Sequence, residues 1–221
     1  MQALDDGVIC GRCWSLVDPL PAPQCGRCGH PLPPARGCQW CALLPPFVRA
    51  ARSFCSVDSG TGLAIVAALK YDGWTPAAKG MAERMGRLAW PPDVVEERAA
   101  LVPVPLAAAR RRERGYNQSE LLARRLSDRW GIPVRADCIE RVKRTASQTR
   151  LTPGERRRNV CGAFRAIPTT FSFRGAHLVL VDDVVTTGAT LNECATVLHD
   201  AGARIVSYVT FGRAPALGDR W

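Results

Sequence analysis

Near the C-terminus an apolar run, Ala176 to Val181, precedes a helical pattern over Thr190 to Asp200 that ends at Gly202, and a second apolar run, Ala203 to Phe211, follows. Strand, helix and strand in that order leave few topologies open. The two strands are expected side by side and parallel, joined by a right-handed crossover, because a twisted strand feeding a right-handed helix returns to its sheet only that way. The upstream text agrees with an α/β body. Ala100 to Leu106 (ALVPVPL) reads as a buried strand stopped by prolines. Helical spacing covers Gly62 to Lys70, Ala77 to Leu88 and Asn117 to Trp130, the last closed by Gly131. No repeat and no low-complexity tract interrupts the pattern.

Between the C-terminal strand and its helix lies Asp182-Asp183-Val184-Val185-Thr186-Thr187-Gly188-Ala189-Thr190. In open α/β sheets ligands sit at the carboxyl ends of strands, and this loop falls there. Backbone amides at a helix start, with threonine hydroxyls beside them, cradle a phosphate dianion. Gly188 lets the backbone come close. Two carboxylates would repel that phosphate and suit a vicinal diol instead, since each accepts hydrogen bonds from hydroxyls. A phosphate with a diol beside it is a ribose 5-phosphate unit. The chain has neither a G-x-x-x-x-G-K-[ST] loop nor a G-x-G-x-x-G fingerprint.

Ten cysteines are present, and six of them form three C-x-x-C pairs: Cys10/Cys13, Cys25/Cys28 and Cys38/Cys41. Each such turn aims two thiolates at one point, and two turns complete a tetrahedral zinc site. The middle and last pairs, nine residues apart, are expected to form one structural site of Cys25, Cys28, Cys38 and Cys41. Cys10 and Cys13 remain a candidate ligand pair, with His30 the residue they could borrow. The cysteines at 55, 138, 161 and 194 read as small buried apolar residues. Residues 19 to 46 hold eight of the 17 prolines and no helical period, a segment that needs metal to fold. The expected division is a cysteine-rich, zinc-ribbon-like region over 1–50 and an α/β domain over 51–221.

The loop at 182–190 resembles the phosphoribosyl pyrophosphate (PRPP) motif of type I phosphoribosyltransferases: a hydrophobic strand, two acids, then Thr-Thr-Gly-Ala-Thr. Nearly the whole chain resembles one branch of these, the ComF family of competence-associated proteins. The likeness is carried by Cys25-x-x-Cys28-Gly-His-Pro-Leu, Cys38-x-x-Cys41, Leu69-Lys-Tyr71, Val102-Pro-Val-Pro-Leu106, Arg114-Gly-Tyr-Asn-Gln118, Thr145-x-x-Gln148-x-x-Leu151 and Arg156-x-x-Asn159-Val160, in the family's order. It implies a type I phosphoribosyltransferase-like fold, a parallel sheet flanked by helices, with a small zinc ribbon in front. It also implies ribose contacts from Asp182 and Asp183, with Val184 between them and the loop. Thr186, Thr187, Gly188, Ala189 and Thr190 would hold the 5′-phosphate. The strand end around Val104 and the neighbouring Arg114 would bind pyrophosphate, with Mg²⁺ bridging pyrophosphate and ribose.

Fourteen of the 27 arginines and one lysine fall between Arg110 and Arg158 against six acids, so this segment holds +9 of the chain's +10. Such a field suits a polyanion, and arginine forks suit phosphates. The stretch Arg141 to Val160 reads as a flap over the ligand, with Gln148, Arg156 and Asn159 as contacts. The expected activity is Mg²⁺-dependent transfer of ribose 5-phosphate from PRPP to an acceptor. The alternative is a non-catalytic or PRPP-regulated protein that handles single-stranded DNA during uptake, which the basic segment and the ComF likeness both favour. No apolar run reaches the roughly 18 residues of a membrane span. The first ten residues carry no basic side chain, so a secretory signal is not expected and the cytoplasm is.

Overall fold

The expected crossover is present and forms the middle of a larger sheet. In the computed structural model, which describes residues 8–32, 38–143 and 153–215, four parallel strands stand in the order β1-β6-β5-β2. They are β1 (Val48–Ser56), β2 (Arg98–Pro103), β5 (His177–Val185) and β6 (Ile205–Arg213). A separate antiparallel pair joins β3 (Ile139–Arg141) to β4 (Phe164–Ala166). The period-two alternation of β5 sorts its side chains onto two cores. Val179 and Val181 pack on one face with Leu69, Met81, Leu122 and Phe211. Leu178 and Leu180 pack on the other with Leu191, Leu198 and Tyr208. The first face is covered by α2 (Gly60–Tyr71), α3 (Ala77–Met85) and α6 (Gln118–Trp130), the second by α8 (Ala189–Asp200).

Helix ends follow their local chemistry. Asn117 accepts from the Ser119 amide and starts α6, and Gly131 at φ 68° ends it. The helix expected to reach Leu88 stops at Met85, and the strand expected to reach Leu106 stops at Pro103. Proline 103 and proline 105 lack the amide that a longer ladder needs. Several elements had no sequence signal, among them the short helix α1 (Gly11–Ser15) and the pair β3 and β4. Strand β1 carries Arg49 and Arg52 among its apolar residues, which spoils its pattern. Arg49 reaches out to Asp93 through two bonds of 2.6 and 2.8 Å. Helix α4 (Pro92–Glu97) and helix α5 (Ala108–Arg114) are short, and α5 buries no residue. Helix α7 (Pro153–Val160) occupies part of the stretch expected to be a flap. Gln148 lies outside the described residues.

The sheet's two outer edges are both covered. Along β1, the Leu20 amide donates to the Phe54 carbonyl (3.0 Å), the Ser56 amide to Asp18 (3.1 Å) and the Ala51 amide to Arg27 (2.8 Å). Along β2, the Leu101 amide donates to Pro133 (2.9 Å) and the Arg135 amide to Leu101 (2.8 Å). Strand β1 also crosses residue 50, so the cysteine-rich segment runs directly into the sheet.

Candidate active site and metal centre

The register of the sheet decides where the two acids stand. The ladder between β2 and β5 closes at Pro103 opposite Val181, one residue before Asp182. Beyond that point the chain after β2 turns away, and a cleft of about 350 Å³ opens at the carboxyl ends of the strands. Asparagine 117 shapes one wall by donating from Nδ2 to the Val104 carbonyl (3.0 Å).

Neighbours on a strand send their side chains apart, and each acid finds a different partner. The Lys70 ammonium, at the end of α2, sits 2.7 Å from Asp183 Oδ2, and both side chains are largely buried, 23% and 4% exposed. Burial pushes the Lys70 ammonium down, but the Asp183 carboxylate outweighs it and holds its pKa above the ordinary lysine value. Asp182 Oδ1 accepts from the Ser119 hydroxyl (2.8 Å). Burial, and then the charge of Asp183, drive the Asp182 carboxyl up to about 8 against the opposing pull of Ser119 and Lys70.

The loop then climbs into α8. Gly188 sits at φ 75° as its N-cap, a left-handed conformation in which any Cβ is strained. The Thr187 hydroxyl accepts from the Ala189 amide at 3.4 Å. Val184, Thr186, Gly188, Ala189 and Thr190 all line the cleft with both acids, Val104 and Arg114. Thr187 does not. It borders a smaller cavity on the side of the cysteine-rich segment, beside Trp40 and Cys28.

Four cations, Lys70, Arg110, Arg114 and Arg141, border the cleft against the two acids. Arg114 donates to Gln118 Oε1 (2.5 Å), and Tyr116 donates to the Leu69 carbonyl, which ties α2 to the start of α6. Lys70, Ser119 and Arg141 were not singled out from sequence. Lysine 70 was visible only at the end of the helical spacing over Gly62 to Lys70 and within Leu69-Lys-Tyr71, and Ser119 only within the helical spacing over Asn117 to Trp130. None of the three histidines lines the cleft. His177 is buried at the start of β5, bonded to Ser207 (2.9 Å).

The four expected thiols converge. The ligand atoms of Cys25, Cys28, Cys38 and Cys41 lie within 4.8 Å of one another, with Sγ separations of 3.4 Å for Cys25/Cys41 and 3.3 Å for Cys28/Cys38. A tetrahedron with Zn–S of about 2.3 Å has edges of about 3.8 Å, so this donor set fits such an ion. Burial raises the Cys25 thiol, but the amides of Cys28 and Arg27 more than reverse it, to about 7. Burial and the adjoining thiols push Cys41 up to about 11. A bound dication favours the thiolate form and releases protons from its cysteine ligands. The cluster can chelate a metal ion and is consistent with a zinc-binding motif. Among the described residues no group of three or more ligands includes Cys10 or Cys13. The Cys13 amide donates to Cys10 Sγ (3.4 Å). Of the scattered cysteines, 55, 138 and 194 are buried as expected, whereas Cys161 is exposed on the turn after α7.

The metal cluster and the phosphate loop are neighbours. Arg213 donates to the Cys28 carbonyl (2.8 Å). Asn192, in the first turn of α8, donates to the Leu43 carbonyl two residues beyond Cys41 (2.7 Å) and accepts from Tyr208 (3.1 Å).

Residues 78–221 match the family model described as "Phosphoribosyl transferase domain". The chain belongs to this family. Its homologues place it in the ComF branch. It is 34% identical to "DNA utilization protein YhgH" of Salmonella typhi over 214 residues, 92% of this chain and 89% of that protein. It is 39% identical to "Competence protein F" of Haemophilus influenzae over 115 residues, and that match spans 52% of this chain and only 50% of the relative. With "Competence protein ComFC" of Bacillus subtilis it shares 38% over 115 residues, 52% of this chain and 44% of the relative. Solved structures alike in fold include a hypoxanthine phosphoribosyltransferase from Staphylococcus aureus (TM-score 0.39, 13% identity, 62% of this chain and 64% of that one). A purine phosphoribosyltransferase from Pyrococcus horikoshii is similar at TM-score 0.38 and 16% identity over 63% of this chain and 74% of that one. No helix among the described residues is long and apolar enough to cross a membrane.

Proposed function

We propose that this ComF protein binds PRPP with Mg²⁺ in the cleft at the end of β5 and handles single-stranded DNA, with PRPP as the ligand that regulates it. The observation that carries the ligand is the meeting, in one cleft, of a diacid, a phosphate loop at a helix start and a surplus of cations. Asp182 and Asp183 accept the ribose hydroxyls, and the amides of Thr186 to Thr190 hold the 5′-phosphate. The backbone around Val104, with Arg114, Arg110 and Arg141, takes the pyrophosphate. Mg²⁺ bound together with PRPP would supply charge neutralisation at the pyrophosphate, beside Arg110, Arg114 and Arg141. Lys70 cancels the charge of one acid, so a polyanion meets a net positive wall. The DNA reading is supported by the +9 segment and by relatives whose names refer to DNA utilization and competence. In this reading residues 1–50 form a zinc ribbon on Cys25, Cys28, Cys38 and Cys41, and residues 51–221 form the ligand-binding domain.

One observation favours a second reading, transfer to an acceptor. Asp182 lines the cleft beside Asp183 at the carboxyl end of β5, where its carboxyl is placed to exchange a proton with an acceptor. The acceptor would form a bond to C1 of the ribose as the C1–O bond breaks and pyrophosphate leaves. Thermal melting tests the ligand. At a hundred times its Kd, PRPP with Mg²⁺ adds about 2.7 kcal/mol, a rise of roughly 5 to 10 °C for a chain of this size. No rise, or an equal rise in Asp182→Asn/Asp183→Asn, overturns the assignment. Pyrophosphate release on adding candidate acceptors separates the two readings.

A further inference from the structure

Among the described residues only two aromatic side chains stand largely in solvent, Tyr71 at 69% and Trp74 at 50% exposed. They are three residues apart in the turn that closes α2. Two rings left out together mark a surface that something covers, since each ring offers a large apolar area. The turn is held in place. The Trp74 amide donates to the Ala68 carbonyl (3.2 Å), the Ala77 amide to the Trp74 carbonyl (3.1 Å), and Gly73 takes φ 72° between the rings. Tyr71 borders the cleft, and the Arg114 guanidinium lies 5.5 Å from its ring centroid.

Arg114 ends α5, the helix that buries nothing, and Arg110, Arg111 and Arg112 on it are exposed. A helix without an apolar face gains nothing from the core, and while Arg114 bonds Gln118 and Arg111 reaches Glu120 at 3.4 Å, Arg110 and Arg112 stand exposed to a partner. The only acid on it is Glu113.

We infer that the turn at Tyr71–Trp74 is a base-stacking platform for single-stranded nucleic acid, whose phosphates lie on the arginines of α5. The inference rests on the DNA-handling reading and gives it a surface. Unpaired bases offer π-faces to aromatic rings and guanidinium planes, and the backbone follows a basic track. A duplex keeps its bases stacked and offers no such face. A protein partner would bury rings among few charges, whereas Tyr71 borders a cleft that also carries Arg110, Arg114 and Arg141.

The test is fluorescence anisotropy of the full chain with a fluorescein-labelled oligothymidylate of roughly 20 nucleotides. Tyr71→Ala and Trp74→Ala should each weaken binding about five-fold to a hundred-fold, with Trp74→Phe restoring most of it. The salt dependence should stay that of the wild type in both ring variants, because stacking releases no counterions. Arg110→Gln/Arg112→Gln should flatten it. Melting with PRPP checks that Trp74→Ala is folded. Binding that survives the loss of both rings but not of the arginines overturns the platform and leaves the DNA-handling reading standing. Failure of the wild-type chain to bind the oligonucleotide overturns both. Displacement of the oligonucleotide by free thymine at comparable concentration also overturns it, since the rings would then serve a free base.

Discussion

Replacing Asp183 with asparagine keeps the size of the side chain and removes its charge, leaving the Lys70 ammonium 2.7 Å from a neutral amide with only 23% of its side chain exposed. A buried pair broken from one side costs about 3–5 kcal/mol. There is also a ceiling. The lysine can shed its proton instead of staying charged, at about 1.4 kcal/mol for each pH unit below the free lysine value of about 10.4, which is about 4–5 kcal/mol at pH 7. The exposed quarter of Lys70 and the remaining charge of Asp182 reduce this, so about 2–3 kcal/mol of lost stability is expected. The sign with pH follows from linkage. In the native chain Lys70 is raised, so its stabilisation is complete below the free lysine value and is lost only as pH climbs through the raised value. In the variant the folded pKa is depressed, the unfolded state binds more protons, and stability rises with pH between the two values. Urea unfolding of both chains at pH 7 and 9.5 therefore shows a deficit that shrinks at the higher pH. Lys70→Met added to Asp183→Asn should recover most of it. A deficit under about 0.5 kcal/mol at pH 7, or one that neither shrinks at pH 9.5 nor responds to Lys70→Met, refutes the reasoning.

Gly188→Ala places a Cβ at φ 75°, so a loss of about 1–2 kcal/mol in urea titration is expected, together with loss of the PRPP-dependent rise in melting temperature. Ser119→Ala removes the donor that favours ionised Asp182, so PRPP affinity measured by calorimetry should need a higher pH than in the wild type; an unshifted profile would separate Ser119 from the site. Metal analysis should find about one zinc per chain. Cys28→Ser should remove that zinc and lower the melting temperature, whereas Cys10→Ser should leave the zinc in place.

The loop was readable because its parts are contiguous: an apolar run, two acids, small and hydroxylated residues, then a helix. The metal cluster was readable because pairing at fixed spacing states its own chemistry. What stayed hidden depends on the sheet's order. Lys70 meets Asp183 across 113 positions because the last turn of α2 reaches the carboxyl end of β5, and neither neighbourhood in the sequence refers to the other. Ser119 doubles as a residue of the α6 start and a donor to Asp182, and its capping context accounted for it already. Strand β1 was missed because its arginines serve partners outside the sheet, such as Asp93 and the Gly26 carbonyl, and so broke the alternation. Cys161 was misjudged because a cysteine outside a pair is more often interior, and here it falls on a surface turn.

The covered edges of the sheet have a consequence for any shortened form of this chain. Segment 18–27 occupies the outer side of β1, and residues 133–135 occupy that of β2. Among the described residues, both edges of the four-stranded sheet thus carry bonded partners that stand in the way of a second copy. A chain trimmed to begin at β1 would keep the cleft, the loop and the basic helix, yet would bare the Ala51 and Ser56 amides and the Phe54 carbonyl as a template for intermolecular pairing. The cysteine-rich segment therefore insulates the edge of β1 as well as gathering a thiol cluster able to chelate a metal ion, and a chain trimmed at β1 should be less soluble than the intact one.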